Sequence, residues 1–151
     1  MSVEKFAAIF EGLKSAYGYF KIEKQKASGK QAGHAGVVRE EPTLELFKEH
    51  LAGNGRGLGI IPINENDSCK WGCIDIDQYP LDHEALIKKI RGLELPLVVC
   101  RSKSGGAHCF LFSDEWVSAK DMQKALKNMS SALGYGESEI FPKQIKLHLD
   151  R

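Results

Sequence analysis

The sequence predicts an α+β fold of the ferredoxin-like kind, and three observations predict it. From residue 70 onward, apolar runs with strand and helix periods follow one another in the order β-α-β-β-α-β. Both helical runs carry their own start and stop residues, so their limits are readable locally. The chain has 151 residues, 42% hydrophobic and 27% charged, which suits one domain with at most a small appended subdomain.

The elements justify themselves in order. Val3, Phe6, Ala7, Phe10 and Leu13 recur at helical spacing behind Ser2, a fitting N-cap. Residues 17–41 lose periodicity and gain Gly, Lys and Gln, so they read as a loop. Pro42-Thr43 opens a short helix with Leu44, Phe47 and Leu51 on one face and Gly53 beyond its end. Leu58–Ile63 reads as a strand, Asn64–Ser68 as a turn, and Lys70–Asp77 as a second strand. Pro80 and Asp82 begin a helix carrying Leu86, Ile87 and Ile90, which Gly92 stops. Leu97–Arg101 is a β-branched strand, and Ser102–Ala107 turns into the strand His108–Phe112. Ser118 with Asp121 forms a capping box for a helix with Met122, Ala125, Leu126, Met129 and Leu133, ended by Gly134. Glu139–Phe141 is the last strand.

Right-handed crossovers place the first and third of the last four strands at the centre, with the fourth beside the first. Side chains alternate along a strand. Ile74 and Ile76 then face the helices, and Asp75 and Asp77 share the open face at one strand end. The neighbouring strands run antiparallel, so their first residues, His108 and Glu139, arrive at that same end. On the third strand Cys109 and Leu111 face the helices, and Phe110 and Phe112 the open side. Carboxylates gathered this way repel unless a cation lies between them. Hard oxygen donors suit Mg²⁺ or Mn²⁺, and two such ions ~4 Å apart support phosphoryl transfer. The Ser102-Lys103-Ser104-Gly105-Gly106 turn, with Arg101 before it, offers N–H groups, hydroxyls and cations for phosphate. The same residues taken singly also fit a hydrated strand end and an ordinary hairpin turn.

Net charge is +1, unlike a dedicated nucleic-acid-binding domain, whose pI usually exceeds ~9. The charge is unevenly spread: residues 14–39 hold six basic side chains against Glu23, and residues 40–84 hold ten acids against three bases. That pattern fits cations held in the middle and phosphates at the flanks, or simply solvated faces. Lys21, Lys24, Lys26, Lys30 and Arg39 are the candidates for template phosphates. The four cysteines, Cys69, Cys73, Cys100 and Cys109, read as structural thiols of a reducing cytoplasm, since Cys-x3-Cys without a second pair is loose for zinc. No apolar run reaches the ~18 residues of a membrane span, and Glu4 and Glu11 break any signal-peptide pattern, so a cytoplasmic protein without membrane contact is expected.

Three stretches carry a resemblance. Cys73-Ile-Asp-Ile-Asp77, Ser102-Lys-Ser-Gly-Gly-Ala-His108-Cys-Phe-Leu-Phe112 and Glu139-Ile-Phe-Pro-Lys-Gln144 resemble the three motifs of the archaeo-eukaryotic primase superfamily. They are most similar to its primase-polymerase branch from phages, plasmids and TOTE conflict systems. His50-Leu-Ala-Gly53 and Gly57–Ile63 resemble the stretch that precedes the first motif, so the likeness spans roughly residues 44–144. It implies Asp75, Asp77 and Glu139 as catalytic metal ligands for two Mg²⁺ or Mn²⁺ ions. It also implies Ser104 and His108 as contacts to an incoming nucleoside triphosphate. Lys143, just past the third motif, is a further candidate for phosphate. The implied architecture is an N-terminal α/β subdomain, residues 1–69, packed on the open face of a catalytic subdomain, residues 70–151. The third acid is Glu139 where many members carry Asp, and the chain ends 12 residues after it where relatives continue, so an excised catalytic core is expected. The missing part would be a helicase or primer-binding domain.

The expected activity is template-directed nucleotidyl transfer on single-stranded DNA with dNTP or rNTP, making or extending primers. Two other readings stay open. An RRM-like binding module shares this topology and stacks bases on sheet aromatics, here Phe110 and Phe112. A metal-dependent phosphohydrolase would use water in place of the sugar hydroxyl.

Overall fold

Four helices and seven strands follow one another in a computed structural model that describes residues 2–25 and 31–148. They are α1 (Val3–Ile9), β1 (Tyr17–Gln25), β2 (Gln31–Val38), α2 (Leu44–Ala52), β3 (Gly57–Gly59) and β4 (Ser68–Ile76). Then come α3 (His83–Gly92), β5 (Val98–Arg101), β6 (Ala107–Ser118), α4 (Ala119–Ala132) and β7 (Glu139–Phe141). Each helix begins on the cap that local chemistry dictates. Ser2, Thr43, Asp82 and Ser118 accept from the backbone N–H groups of Lys5, Leu46, Ala85 and Asp121. Such a cap is worth ~1 kcal/mol.

The strands form two antiparallel sheets, ordered β2-β1-β3 and β5-β6-β4-β7. In the second sheet β4 and β6 are central and β7 lies beside β4. On one face Ile74, Ile76, Ala107 and Cys109 pack against Leu86 and Ile90 of α3 and Met122 and Leu126 of α4. Burying a side chain of this size contributes ~1.5–3 kcal/mol. Gly72 lets α4 settle closely, since a Cβ there would lie 2.6 Å from Leu126 and 2.9 Å from Met122.

The N-terminal segment covers the other face. Phe10 meets Trp71, Phe110 and Phe112 edge-on at 5.3, 5.2 and 5.5 Å between ring centroids. Trp71 Nε1 donates to the Glu11 carbonyl at 3.1 Å, and Leu13 N–H donates to the Ile61 carbonyl at 2.8 Å. Phe110 and Phe112 are therefore half-buried against Phe10 rather than a bare aromatic face of the RRM-like kind.

Two expectations need correction. Within the stretch 17–41 expected to be a loop, Tyr17–Gln25 and Gln31–Val38 are paired strands. The reason is cross-strand. The rings of Tyr19 and Phe20 lie over Gly36 and Gly33 of the partner strand, in space that a Cβ at either glycine would contest. Glycine reads as a loop residue locally, yet here it makes room for aromatics. Leu58–Ile63 forms a strand only over Gly57–Gly59. Pro62 has no N–H for a ladder, and the Ile61 carbonyl holds the exit of α1 instead.

All four cysteines are free thiols. Burial pushes the Cys69 and Cys109 thiols up to about 11 and raises Cys73 further, so these three are inert small hydrophobes. Cys100 departs from expectation. It is exposed, because β5 is an edge strand. No helix among the described residues is long and apolar enough to cross a membrane.

Candidate active site

The ladder places the acids. Asp75 on β4 stands directly across from His108 on β6 and from Glu139 on β7. Asp77 lies one residue past the end of β4. The three carboxylates line one cleft of about 460 Å³ with Tyr135 and Ser138. Asp75 Oδ1 lies 3.5 Å from His108 Nε2. Partial burial outweighs that neighbour and, with the repulsion of Asp77 and Glu139, holds the Asp75 carboxyl above its ordinary range. Asp77 accepts a short hydrogen bond from the Tyr79 hydroxyl, which raises the Tyr79 pKa. Glu139 is paired with Lys143 at 2.6 Å.

Each acid thus has a partner of its own. To act as ligands of one metal site, all three carboxylates must converge on one point. Among the described residues no three His, Cys, Asp or Glu side chains are gathered that closely. Like charges repel, so each carboxylate turns to the nearest donor. Backbone placement and donor chemistry nevertheless fit a hard cation: three carboxylates on neighbouring positions, the central one disfavoured as a bare anion. Both ends of the Lys143–Glu139 pair are at least half exposed, and such pairs contribute ~0–1 kcal/mol. Lys143→Ala should therefore shift the melting temperature by no more than about 4 °C, read by a thermal melt. Any loss of nucleotide affinity in that variant then reports a phosphate contact.

The 102–106 turn differs from its expected use. Arg101 ends β5 across from Ala107, with its side chain exposed, and Lys103 and Ser104 are exposed as well. Ser102 N–H donates to the Gly106 carbonyl and Gly105 N–H to the Ser102 carbonyl, both at 3.0 Å, so these two donors close the turn rather than face a ligand. Gly105 has φ +96°, and Gly106 is buried against the Ile76 carbonyl, where a Cβ would collide. The glycines bring the turn up to the end of β4. Ser104 lies beside the Tyr79 hydroxyl, which also holds Asp77. Turn and acids are thereby linked through one phenol.

Sequence reasoning missed Tyr79 and His83. His83 Nε2 lies 2.8 Å from the Gly106 carbonyl, pinning the turn from the first residue of α3. Tyr79 stands two residues after Asp77, a spacing that could have flagged it. Of the template candidates, Lys21 is an exposed residue of β1, Lys24 lies in β1, and Arg39 is exposed just past β2. Lys26 and Lys30 fall outside the described residues. Neither Lys21 nor Arg39 lines the acidic cleft.

The fold and site thus present an acid-edged antiparallel sheet, a serine-bearing turn leading to His108, and an N-terminal segment over the sheet's open face. The family model of the archaeo-eukaryotic primase domain of TOTE conflict systems matches residues 3–146. The chain belongs to that family, and with it to the nucleotidyltransferase-type enzymes. Comparison with curated proteins found no match.

Proposed function

We propose that this chain is the catalytic core of a DNA primase-polymerase, joining nucleotides on a single-stranded DNA template to make or extend primers. The observation that carries the reading is the position of Asp75, flanked in register by Glu139 and His108 at the mouth of the cleft. A ferredoxin-like reading of residues 70–151, with residues 1–69 as the unit over its open face, accompanies it. Asp75, Asp77 and Glu139 would hold Mg²⁺ or Mn²⁺. Such ions supply charge stabilisation at the attacking and leaving oxygens of the transfer. The attacking oxygen is a 3′-hydroxyl, the bond broken joins the α- and β-phosphates, and pyrophosphate leaves. His108, part-exposed across from Asp75, donates a ring N–H to a phosphate oxygen. The Ser104 hydroxyl faces the same phosphates from the turn, with Arg101 behind it, whereas the ammonium of Lys103 stands 5.1 Å from the centroid of the Phe20 ring. Tyr79 keeps Asp77 turned toward the turn until a nucleotide arrives.

A hydrogen bond to a charged group is worth ~1.5–3 kcal/mol, so His108→Ala should weaken nucleotide binding roughly 10- to 150-fold. Titration of dNTP and rNTP with Mn²⁺ measures it, and labelled template–primer resolved on a gel separates transferase from hydrolase. Unchanged affinity in His108→Ala, with a melting temperature several degrees lower, would make the residue structural and move the triphosphate elsewhere.

A further inference from the structure

Outside the acidic cleft, β1 builds a second polar feature, to which Lys103 is the one contributor from the three motifs. The Arg56 guanidinium carbon lies 4.3 Å from the centroid of Tyr19, and Lys103 Nζ lies 5.1 Å from that of Phe20. Phe20 and Ile22 are 39% and 51% exposed, although both are large and apolar. A groove of about 500 Å³ runs between them, lined by Phe20, Lys21, Ile22, Arg56, Gly57 and Lys103 together with Gly55. It exists because β3 stops opposite Phe20, at Gly57, while β1 continues to Gln25.

Its chemistry is one-sided. Among the described residues three cations line it and no carboxylate does. Among the described residues, Lys21, Arg56 and Lys103 take part in no ion pair. Cations gathered around an exposed ring, with their charge unspent, are the combination that binds a polyanion with flat bases. A duplex offers its bases only at groove edges, whereas a single strand offers their faces.

We propose that this groove binds single-stranded nucleic acid, with Lys21, Arg56 and Lys103 on backbone phosphates and Phe20 as the platform for a base. Lys103 belongs to the 102–106 turn, so the groove is continuous with the turn beside the candidate acids. The strand's role as a template rests on the nucleotidyl-transfer reading; its binding does not. This assignment differs from the basic-arm candidates, since only Lys21 is common to both.

The test uses the whole chain and two fluorescein-labelled probes, a thymidine 12-mer of DNA and a uridine 12-mer of RNA, titrated by anisotropy over a salt series. Phe20→Leu keeps an apolar cover over Gly33 but removes the ring. It should weaken binding roughly 5- to 150-fold, the loss of one stacked base. Phe20→Tyr keeps the ring and should bind like the parent. Arg56→Gln should flatten the log–log salt slope by about 0.7, the value of one single-strand phosphate contact. Loss on both probes assigns single strands in general, and loss on one alone assigns DNA or RNA. Equal affinity of Phe20→Leu and the parent, equal loss in Phe20→Leu and Phe20→Tyr, or an unchanged slope in Arg56→Gln would overturn the proposal. A parallel Mn²⁺–nucleotide titration separates the two readings: oligonucleotide binding lost with nucleotide binding intact tests the groove alone. A parent that extends no primer, yet loses oligonucleotide affinity in these variants, sinks catalysis and leaves the groove standing.

Discussion

Asp75→Asn should abolish primer extension and leave the fold intact or firmer. The catalytic loss is expected to be at least about 10²- to 10³-fold, the scale on which removing one group that stabilises developing charge slows an enzyme. The stability effect has the opposite sign, and pH reveals it. Burial and the charges of Asp77 and Glu139 raise the Asp75 pKa in the folded protein. The folded state therefore holds that proton at pH values where the unfolded chain has lost it, and stability falls as pH rises through this window. In metal-free buffer Asp75→Asn should melt at or above the parent at pH 7. Its advantage should fade as acid protonates Asp75 in the parent. Melts at several pH values in EDTA, beside a gel assay with Mn²⁺, read both effects. Extension at the parental rate would remove Asp75 from catalysis. A melting temperature many degrees lower at pH 7 would show that the carboxylate holds the fold together through His108 instead.

What the sequence made legible was what neighbours along the chain decide. Helix limits were readable at Ser2, Thr43, Asp82 and Ser118, because a cap needs only a side-chain oxygen three residues from its donor. The meeting of Asp75 with His108 and Glu139 was readable too, since period-two alternation and one crossover rule place three strand ends together. Pairings set by distant residues were not. Tyr19 and Phe20 belong to a strand because Gly36 and Gly33 lie beneath their rings, a fact about the partner strand. The turn at 102–106 offered Gly-Gly as if to a ligand, when one of its glycines answers to the Ile76 carbonyl. The partners of the acids also escaped notice. In the absence of a cation the cheapest neighbour of a carboxylate is a local donor such as Tyr79 or Lys143, and nothing in strand periodicity announces it.

Gly106→Ala should be the most disruptive change of a single small atom group near the site. The added methyl would collide with the Ile76 carbonyl oxygen and come within 3.2 Å of Ser102 Oγ. The first obstacle is backbone at the end of a central strand, so it has little room to give. Overpacking of this kind costs ~1–3 kcal/mol, which for a chain of this size lowers the melting temperature by roughly 2–12 °C. The fold absorbs the methyl by moving the turn away from β4. That strains the Ser102–Gly106 and His83–Gly106 contacts. Asp77 follows Ile76 directly and His108 follows Gly106 by two residues, so the displacement separates the acids from the turn. Nucleotide affinity should fall even in the fraction that folds. Gly105→Ala is the discriminating partner. Its φ of +96° strains any other residue, yet a methyl there meets nothing nearer than Tyr79 at 4.0 Å. It should lower the melting temperature through backbone strain while disturbing the nucleotide contacts less. Melts and Mn²⁺–nucleotide titrations of both variants decide between the two glycines. If Gly106→Ala melts and binds like the parent, the turn does not rest on the end of β4, and the register between Asp77 and His108 is set by the ladder alone.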